Sequence, residues 1–279
     1  LTEAIADLTL ERMIEHIVGR KMEQSFQWIP RTIDRSGAPL LELSNIVAGE
    51  RVRGISLKLH KGEVIGLVGL MGSGRSELLQ SVFGIRQLSS GEIRVRGLPV
   101  EIRSPTDALK ARIAMIPEDR RVQGLVMSHM LKDNVLLPLL GQFTHNGFID
   151  DRVARRTVQE YVRTLDIKTP SIFKIVRQLS GGNQQKVVIA KWLGAEPDIF
   201  LMDEPTAGVD IGAKTEIMTL IRHLAGDLGK AVLLVSSELP ELLAVSDRIA
   251  YVRAGRLEKE VERSSIESEA ALHHLIQGN

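Results

Sequence analysis

The chain has 279 residues and a formal net charge of +1, and 43% of its residues are hydrophobic, 25% charged and 4% aromatic. This composition suits a globular protein with one sizeable core, and it lacks the long basic runs and aromatic residues of a nucleic-acid-binding surface. No apolar stretch approaches the roughly 20 residues that cross a bilayer, and the absence of cysteine excludes disulfides and thiolate-bound metals. We therefore expect no nucleic-acid partner and no direct membrane insertion.

The beginning of the chain is predicted to be a helix followed by a linker. Apolar residues at helical spacing precede Gly19, which is placed to end that helix. The stretch that follows is polar and is interrupted by Pro30 and Pro39, as is typical of a connecting segment. We expect a helix and linker over residues 1–39 and a separate domain over 40–279, with a simple N-terminal helix as the alternative.

The next segments are predicted to be strands with one buried face. Apolar and polar residues alternate from Ile55 to Leu59, and Ile93 and Val95 repeat the pattern further along the chain. A period of two residues is typical of half-buried strands, and here it favours an antiparallel sheet at the edge of the domain.

A glycine-rich loop lies between these strands, after the apolar strand Glu63–Val68 and before a helix. Its spacing is that of the P-loop, GxxxxGK[ST], in which backbone N–H groups wrap nucleotide phosphates and the hydroxyl reaches Mg²⁺. Arg75 occupies the lysine position, and its planar guanidinium is bulkier than a compact ammonium, so we expect nucleotide binding with impaired hydrolysis. Ser76 is also a predicted metal ligand. The predicted nucleotide-binding residues of the loop are Gly69, Leu70, Met71, Gly72, Ser73, Gly74, Arg75 and Ser76.

The pattern from about residue 119 to 178 is mostly helical. The cations Arg120 and Arg121 are interpreted as part of a solvated loop. The apolar stretch 126–141 is either an exposed docking surface or part of the core of this region. One clear stripe at helical spacing is formed by Val153, Val158, Tyr161, Val162 and Leu165.

The stretch LSGGNQQK is predicted to start a helix that presents bare backbone N–H groups. Ser180 is a favourable N-cap, and Gly181 and Gly182 leave the first turn without side chains, so the positive end of the helix dipole faces outward. Apolar residues from Val187 to Leu193 anchor the helix in the core. We interpret this helix start as an anion site.

A short apolar strand, Ile199–Met202, ends in two acidic residues. Carboxylates at the carboxyl end of a buried parallel strand lie where an α/β sheet binds ligands, and phosphoryl transfer needs one for Mg²⁺ and one for the attacking water. Asp203 is the predicted metal ligand and Glu204 the predicted catalytic residue. A strand followed by a solvated acidic turn is the alternative.

In the order P-loop, LSGGNQQK and Asp203–Glu204, these motifs resemble the nucleotide-binding domain of ABC transporters over nearly the whole chain. The resemblance implies an α/β P-loop NTPase of ABC type, with a mixed core sheet, an antiparallel β subdomain and an inserted helical subdomain at about 119–178. It implies ATP and Mg²⁺ as ligands. LSGGNQQK is the signature of that family, and the resemblance implies that it acts in trans on nucleotide held by a second domain. The signature residues implied are Leu179, Ser180, Gly181, Gly182 and Gln184.

Several positions depart from the family pattern around the P-loop. Glu118 stands where these domains usually have a glutamine, and Ser237 stands where they usually have a switch histidine. The stretch 45–52 lacks the aromatic residue that commonly stacks on adenine. Together with Arg75, these departures imply a degenerate nucleotide site on this chain beside an intact signature, with Glu118 and Ser237 still among the nucleotide-binding positions.

A closer resemblance is to the second half of the tandem ATPase subunit of bacterial monosaccharide importers of the ribose, galactose and xylose type, through GLMGSGRSE, IPEDRR and DEPTAGVD. Residues 1–39 are similar to the tail of the preceding domain. The resemblance implies a second ABC domain in the same full-length chain, an integral membrane permease as partner, and a cytoplasmic location at the inner face of the membrane.

Two alternatives accompany these implications. Asp210 falls in the loop that contacts the partner domain in this family, and a helix N-cap is its alternative role. A non-hydrolysing regulatory or scaffolding domain is the alternative to an energising one, and a soluble ABC ATPase unrelated to transport is a third possibility.

Overall fold

The computed structural model describes residues 28–145 and 148–277, so the helix predicted before Gly19 lies outside the described residues. A six-stranded sheet forms the centre of the described chain. Neighbouring strands of this sheet run parallel except for one antiparallel edge hairpin, so the predicted mixed core sheet is confirmed. In spatial order the strands are β12 (Arg256–Glu262), β11 (Arg248–Arg253), β3 (Val64–Val68), β10 (Ala231–Val235), β9 (Ile199–Asp203) and β6 (Ile113–Ile116).

The central parallel strands are buried along their whole length. Every residue of β3, β6, β9 and β10 is buried, as is typical of parallel strands covered on both faces. Because these strands run in one direction, their carboxyl ends meet at the same edge of the sheet, where α/β proteins bind ligands.

A separate sheet of four antiparallel strands confirms the predicted antiparallel subdomain. Its order is β2 (Val52–Leu59), β1 (Leu41–Ala48), β4 (Ser90–Val95) and β5 (Leu98–Val100). In β2 the alternation read from the sequence is visible as burial: Val52, Ile55, Leu57 and Leu59 are buried, and Arg53, Ser56 and Lys58 are exposed.

A helical subdomain is inserted between β6 and the signature helix, as predicted. It comprises a π-helical turn (Arg120–Gly124), α3 (Leu131–Leu136), a 3₁₀ turn (Leu137–Leu139), α4 (Leu140–Phe143), the strand pair β7 (Thr144–His145) and β8 (Phe148–Ile149), α5 (Asp151–Thr164) and a 3₁₀ turn (Val176–Gln178). Outside it lie α1 (Arg75–Val82), α2 (Pro105–Lys110), α6 (Gly181–Leu193), α7 (Ile211–Gly226), α8 (Leu239–Val245), a 3₁₀ turn (Arg263–Ser265) and α9 (Glu269–Gln277). Over the described ranges, no helix has the length and apolar character needed to span a bilayer.

Helix α5 carries the predicted apolar stripe with one exception. Asp150 caps the helix, because its carboxylate accepts the backbone N–H of Val153 at 3.1 Å. Val158 and Leu165 are buried as expected, whereas Val153 is 45% exposed. The buried position in that turn is Ala154, and successive residues are about 100° apart around a helix, so Val153 faces solvent.

Residues 28–39, predicted to be part of a linker, have no regular secondary structure but are tied to the core. Two of the carboxylates that they contact, Glu63 and Asp247, are almost fully buried, so this segment belongs to the folded unit, and a domain boundary at residue 40 stays a prediction. The contacts are Trp28 Nε1 to the carbonyl oxygen of Ser246 (2.9 Å), the ion pair of Arg31 with Asp247, and Arg35 Nε to Glu63 Oε1 (3.0 Å).

Candidate functional site

Four parallel strands bring the predicted site residues to one edge of the core sheet. The P-loop, residues 69–76, follows β3, and the acidic pair lies at the end of β9. Glu118 follows β6 and Ser237 follows β10. Apart from the buried Asp203, these predicted residues line one open cleft of about 690 Å³. Its other lining residues, which sequence reasoning missed, are Arg51, Val68, Glu77, Gln80, Ala207, Ser236, Leu239, His273 and Ile276.

The P-loop is held tightly against neighbouring backbone. Gly74 has a φ of 103°, and a Cβ there would lie 2.1 Å from the carbonyl oxygen of Arg51. A Cβ at Gly69 would lie 2.2 Å from the carbonyl oxygen of Val252. Glycine is therefore required at both positions. Helix α1 begins within the loop, and its first N–H groups, which lack partners inside the helix, provide an anion site.

The side chain of Arg75 is tied to the backbone that follows β10. Its Nη1 donates to the carbonyl oxygen of Ser236 at 3.2 Å. Burial lowers the pKa of the guanidinium, and the carboxylates of Glu204, Asp203 and Glu118 act in the opposite direction. One of the five guanidinium N–H donors is thus bound to protein, which ties the cation to the backbone after β10.

Ser76 and Asp203, the two predicted metal ligands, are in contact. Ser76 Oγ donates to Asp203 Oδ1 at 3.0 Å, and Asp203 is 1% exposed. Burial raises the pKa of Asp203 to about 6, against the effect of that hydrogen bond. Within the described ranges, no cluster of three or more His, Cys, Asp or Glu residues could hold a metal by itself. One hydroxyl and one carboxylate nevertheless fit Mg²⁺, which commonly takes its remaining ligands from substrate phosphates and water.

Glu204 has a strained backbone conformation directly after β9. Its φ is 45°, in the left-handed region that residues other than glycine rarely adopt, and its N–H donates to the carbonyl oxygen of Val235 at 2.9 Å. Ser237 Oγ donates to Glu204 Oε2 at 3.2 Å. Burial raises the pKa of Glu204, while the hydrogen bonds from Ser237 lower it. A raised pKa makes a carboxylate a better proton acceptor near neutral pH, so Glu204 suits the predicted role of base.

The start of α6, which is the second predicted anion site, is separate from the cleft. No residue of LSGGNQQK is among the described residues that line the cleft. Ser180 is exposed and caps the helix, because its Oγ accepts the backbone N–H of Asn183 at 3.4 Å and its side-chain Nδ2 at 2.8 Å. The predicted N-cap is confirmed. The structure therefore brings the P-loop and the acidic pair together, and it does not bring the signature to them.

The two signature glycines are required by packing as well as by exposure of the backbone. A Cβ at Gly182 would lie 2.4 Å from the Cβ of Ala213 in α7. A Cβ at Gly181 would lie 3.0 Å from the carbonyl oxygen of Gly208. From the sequence, both glycines were assigned to the anion site alone. Their packing role was not predicted, because the approach of α7 is a tertiary contact.

Leu179 and Gln184, implied as signature residues, have buried side chains. They are 8% and 3% exposed, and Gln184 Nε2 donates to the carbonyl oxygen of Leu179 at 3.0 Å. These side chains shape the turn before α6, and the part of both residues in a signature acting in trans stays a prediction. The exposed Ser180 hydroxyl and the first N–H groups are what the signature offers to a ligand.

Asp210 caps helix α7. Its Oδ1 accepts the backbone N–H of Ala213 at 2.9 Å, and the residue is exposed. The alternative role as an N-cap is thereby confirmed. A contact between Asp210 and a partner domain stays a prediction.

Arg120 contradicts its interpretation as a solvated residue. It is only 6% exposed, and its guanidinium donates to the carbonyl oxygens of Ala207 and Gly208. Its neighbour Arg121 is exposed, as expected. No local sequence signal distinguishes the two arginines, because the carbonyl groups that hold Arg120 lie 87 and 88 residues away.

Glu241 in α8 is a second buried charge that sequence reasoning missed. It is 7% exposed, and its carboxylate accepts hydrogen bonds from Thr206 Oγ1 at 2.7 and 2.8 Å and from Ser236 Oγ at 2.7 Å. Thr206 follows β9 and Ser236 follows β10, so one carboxylate holds two of the loops that border the cleft.

A family of known proteins shares the fold and the motifs described above. Residues 52–207 match the family described as ABC transporter. That match covers more than half of the chain and includes the P-loop, the start of α6 and Glu204.

The chain belongs to the ABC transporter family. Its fold, with mixed and antiparallel sheets and an inserted helical subdomain, is that of the ABC ATPases, which are ATP-binding and ATP-hydrolysing P-loop enzymes.

Curated relatives of this ABC domain are ATP-binding proteins of sugar import. A putative ribose/galactose/methyl galactoside import ATP-binding protein 1 of Burkholderia lata is 43% identical over 277 residues, which is 99% of this chain and 54% of the relative. The ribose import ATP-binding protein RbsA of Oceanobacillus iheyensis is 37% identical over 278 residues, covering 100% of this chain and 55% of the relative. The ABC domain therefore spans about half the length of the curated relatives that it matches.

Solved structures share the fold of this ABC domain. A dimeric structure of the ATP-binding cassette MJ0796 in a post-hydrolysis state, bound to ADP and Pi, matches with a TM-score of 0.68 and 25% identity, covering 80% of this chain and 98% of that one. The cbiO1 protein of Clostridium perfringens, part of the ABC transporter complex cbiONQ, matches with a TM-score of 0.70 and 23% identity over 87% of this chain and 96% of that one.

Proposed function

We propose that this ABC domain serves an importer of ribose- or galactose-type monosaccharides and couples ATP binding and hydrolysis to sugar uptake. The names of the relatives, which extend over practically the whole of this chain, support the proposal. It includes an integral membrane permease as partner, a cytoplasmic location at the inner face of the membrane through that permease, and ATP with Mg²⁺ as ligands.

Within that importer, we assign to this chain a degenerate site of its own and a signature that completes the site of a second ABC domain. The observation that carries the assignment is the separation of the two anion sites, since the cleft of the P-loop contains no residue of the signature. Nucleotide in the cleft therefore needs a signature from elsewhere, and the signature at Ser180 needs a nucleotide from elsewhere. A second domain in the same full-length chain would supply both.

The cleft has the groups to bind ATP and a base for hydrolysis, but its charge distribution is unfavourable. The N–H groups of the P-loop bind phosphates, and Ser76 and Asp203 would hold Mg²⁺, whose charge offsets that of the phosphates. Glu204 accepts the proton of the attacking water. Ser237 is neutral where a histidine could carry positive charge, and Glu118 adds negative charge. Loss of one such group slows catalysis by about 10²-fold to 10⁴-fold, so we expect very slow turnover.

The helical subdomain supplies the proposed contact with the permease. The sequence left open whether the stretch 126–141 is an exposed docking surface or part of the core. The stretch contains residues of both kinds, because four of its large apolar residues are buried and four are between 37% and 41% exposed. Exposed apolar residues grouped in one subdomain suit a protein contact. The buried set is Leu131, Val135, Leu136 and Leu139, and the exposed set is Val126, Met130, Leu137 and Leu140.

Phosphate release from the purified chain with saturating Mg-ATP tests the degenerate site. We expect retained nucleotide binding, followed with a fluorescent ATP analogue, together with turnover close to the background of the Glu204→Gln variant. Brisk turnover that Glu204→Gln abolishes would contradict the degenerate-site assignment.

A non-hydrolysing regulatory or scaffolding domain is the second candidate function, and the hydrogen bond that ties Arg75 to Ser236 favours it. The two candidates differ in the complete protein. If the slow hydrolysis expected at this site is a required step of the transport cycle, Glu204→Gln lowers total ATPase activity and sugar uptake. If the domain regulates only, both stay at the level of the unmodified protein.

A further inference from the structure

Arg120 is a buried cation at the junction of three segments of the ABC domain. Its Nη1 and Nη2 donate to the consecutive carbonyl oxygens of Ala207 and Gly208, the second at 3.0 Å. Its Nε has no hydrogen-bond partner among the described atoms. Burying a charge is unfavourable unless specific groups bind it, so an apolar side chain would fill this volume with a smaller free-energy penalty. The fork of two donors points to a positional role.

The same guanidinium lies against the start of the signature helix. A Cβ at Gly181 would lie 2.9 Å from Nη2 of Arg120, and 3.0 Å from the carbonyl oxygen of Gly208. Arg120 therefore contacts both the turn at 207–208 and the first residue of α6, and these two segments also approach each other directly. Ser180, whose exposed hydroxyl belongs to the predicted second anion site, is the preceding residue in the chain.

The other end of this connection lies at the nucleotide cleft. Glu118, two residues before Arg120, lines the cleft, and so does Ala207, which accepts the hydrogen bond. Arg120 is not among the described lining residues. Asp119, the residue between them, caps the turn that begins at Arg120, because its carboxylate accepts the backbone N–H of Arg121 at 2.9 Å and of Val122 at 3.2 Å. Arg120 thus connects a segment that lines the cleft with the turn at 207–208 and with Gly181.

We propose that Arg120 is a positioning residue that holds the signature start and the turn at 207–208 in the geometry needed to complete the nucleotide site of a second ABC domain, and that it links this surface to the chain's own cleft. The proposal rests on the proposed function, in which the signature acts in trans. Arg120 touches no reacting group and acts through Gly181, Ala207 and Gly208.

Steady-state ATPase kinetics of the complete protein test the proposal with Arg120→Met, Arg120→Lys and the control Arg121→Met. The control removes the same charge from the exposed neighbouring residue. We expect Arg120→Met to lower kcat by about 10-fold to 100-fold, since misplacement of a catalytic surface by about 1 Å has effects of this size. KM for ATP should change by no more than about twofold. Arg120→Lys should recover part of kcat, because an ammonium keeps the charge but not the fork.

Hydrogen exchange of this chain separates a positioning role from a general structural one. We expect Arg120→Met to increase amide exchange in residues 181–183 and 207–210, with the central strands unchanged, and Mg-ATP to alter exchange in those segments only when Arg120 is present. Increased exchange throughout the core, or the same behaviour in Arg120→Met and Arg121→Met, would overturn the proposal. If the methionine variant does not fold, Arg120→Lys decides: a folded lysine variant with full kcat overturns it.

The variant Ser180→Arg distinguishes failure of the proposal for Arg120 from failure of the trans role of the signature. If Ser180→Arg leaves ATPase activity unchanged, the trans role fails, and the exchange data still decide whether Arg120 positions the two segments. If Ser180→Arg abolishes activity while Arg120→Met matches Arg121→Met, the trans role stands and the proposal for Arg120 is refuted.

Discussion

Asp203 shows how strongly burial alters a single residue of the site. A carboxylate with 1% exposure loses most of its hydration, and one hydrogen bond from Ser76 does not compensate, so its pKa rises to about 6. The ionised form, which a metal requires, is therefore disfavoured in the chain without ligand. Mg²⁺ binding at this position would relieve that penalty and would release protons below about pH 6.

This shift predicts that the ligand-free chain loses stability as pH rises. The folded pKa of about 6 exceeds the ordinary 3.8, so the folded state binds more protons in this interval; the contribution is fully present below about pH 4 and is lost as pH rises through about 6. The full shift corresponds to about 3 kcal/mol at about 1.4 kcal/mol per pH unit. Urea unfolding from pH 4 to 7 should show a smaller decline for Asp203→Asn than for the unmodified chain. The exposed Glu267→Gln should leave the decline unchanged, and an equal decline in Asp203→Asn would contradict the assignment.

The residues of the site differ in how far sequence alone could place them. The P-loop and the acidic pair were predictable, because their function depends on spacing within one segment and on the strand that precedes each. Arg120 and Gln184 were not, because their burial depends on which distant segment covers them. Two adjacent arginines with opposite environments show the limit of a local pattern.

Helix α8 organises the loops beside the cleft through one side chain. Glu241 binds Thr206 from the loop after β9 and Ser236 from the loop after β10, and Ser236 in turn accepts a hydrogen bond from Arg75. The helix thus connects the P-loop cation to the turn that leads to Asp210. A carboxylate is suited to this task, because it accepts several hydrogen bonds at once.

Glu241→Gln is predicted to destabilise the chain by about 1–3 kcal/mol, the range for a buried polar network that loses a charged acceptor. The amide keeps the size of the carboxylate but offers one acceptor oxygen to two hydroxyl donors. Chemical denaturation measures the loss. The matched control is Glu238→Gln, an exposed residue at the start of the same helix, and equal effects of the two changes would refute the predicted role of Glu241.

Among the secondary-structure elements, sequence periodicity correctly predicted those that have one buried and one exposed face. The strands β2 and β4 and helix α5 follow their patterns. Helix α2 was missed although Ser104 caps it and Pro105 opens it, signals that a search for capping residues could have found. Helix α9 was also missed, and its docking involves a hydrogen bond from Tyr251 to the carbonyl oxygen of Ile276.

For the whole molecule, the important feature is that its two anion sites do not meet. In this chain the P-loop cleft and the exposed Ser180 are separate surfaces, and under the proposed function a second ABC domain completes each nucleotide site. This separation of the two surfaces is independent of how fast either site turns over ATP.

Ser180→Arg in the complete protein is predicted to lower ATPase activity by at least about 10-fold, because a bulky cation blocks the approach of phosphate to the helix start. Phosphate release measures the effect. Ser180→Ala isolates the loss of the cap, which costs about 0.5–2 kcal/mol of helix stability, and Ser89→Arg places the same bulk on an exposed turn elsewhere. Unchanged activity in Ser180→Arg would mean that the signature does not complete another site.

The sequence by itself determined the motifs whose physics is local. Glycine spacing, the N-caps of α5, α6 and α7 and the acidic end of β9 depend on residues close to one another in the chain. Only the tertiary structure decided which of these groups share a cleft, why Gly181 and Gly182 must be glycine, and why Arg120 is buried while Arg121 is not. These features depend on contacts between segments that lie tens of residues apart in the sequence. Burial in such contacts, which a local sequence pattern does not reveal, determines the environment of each side chain and the groups that it can contact.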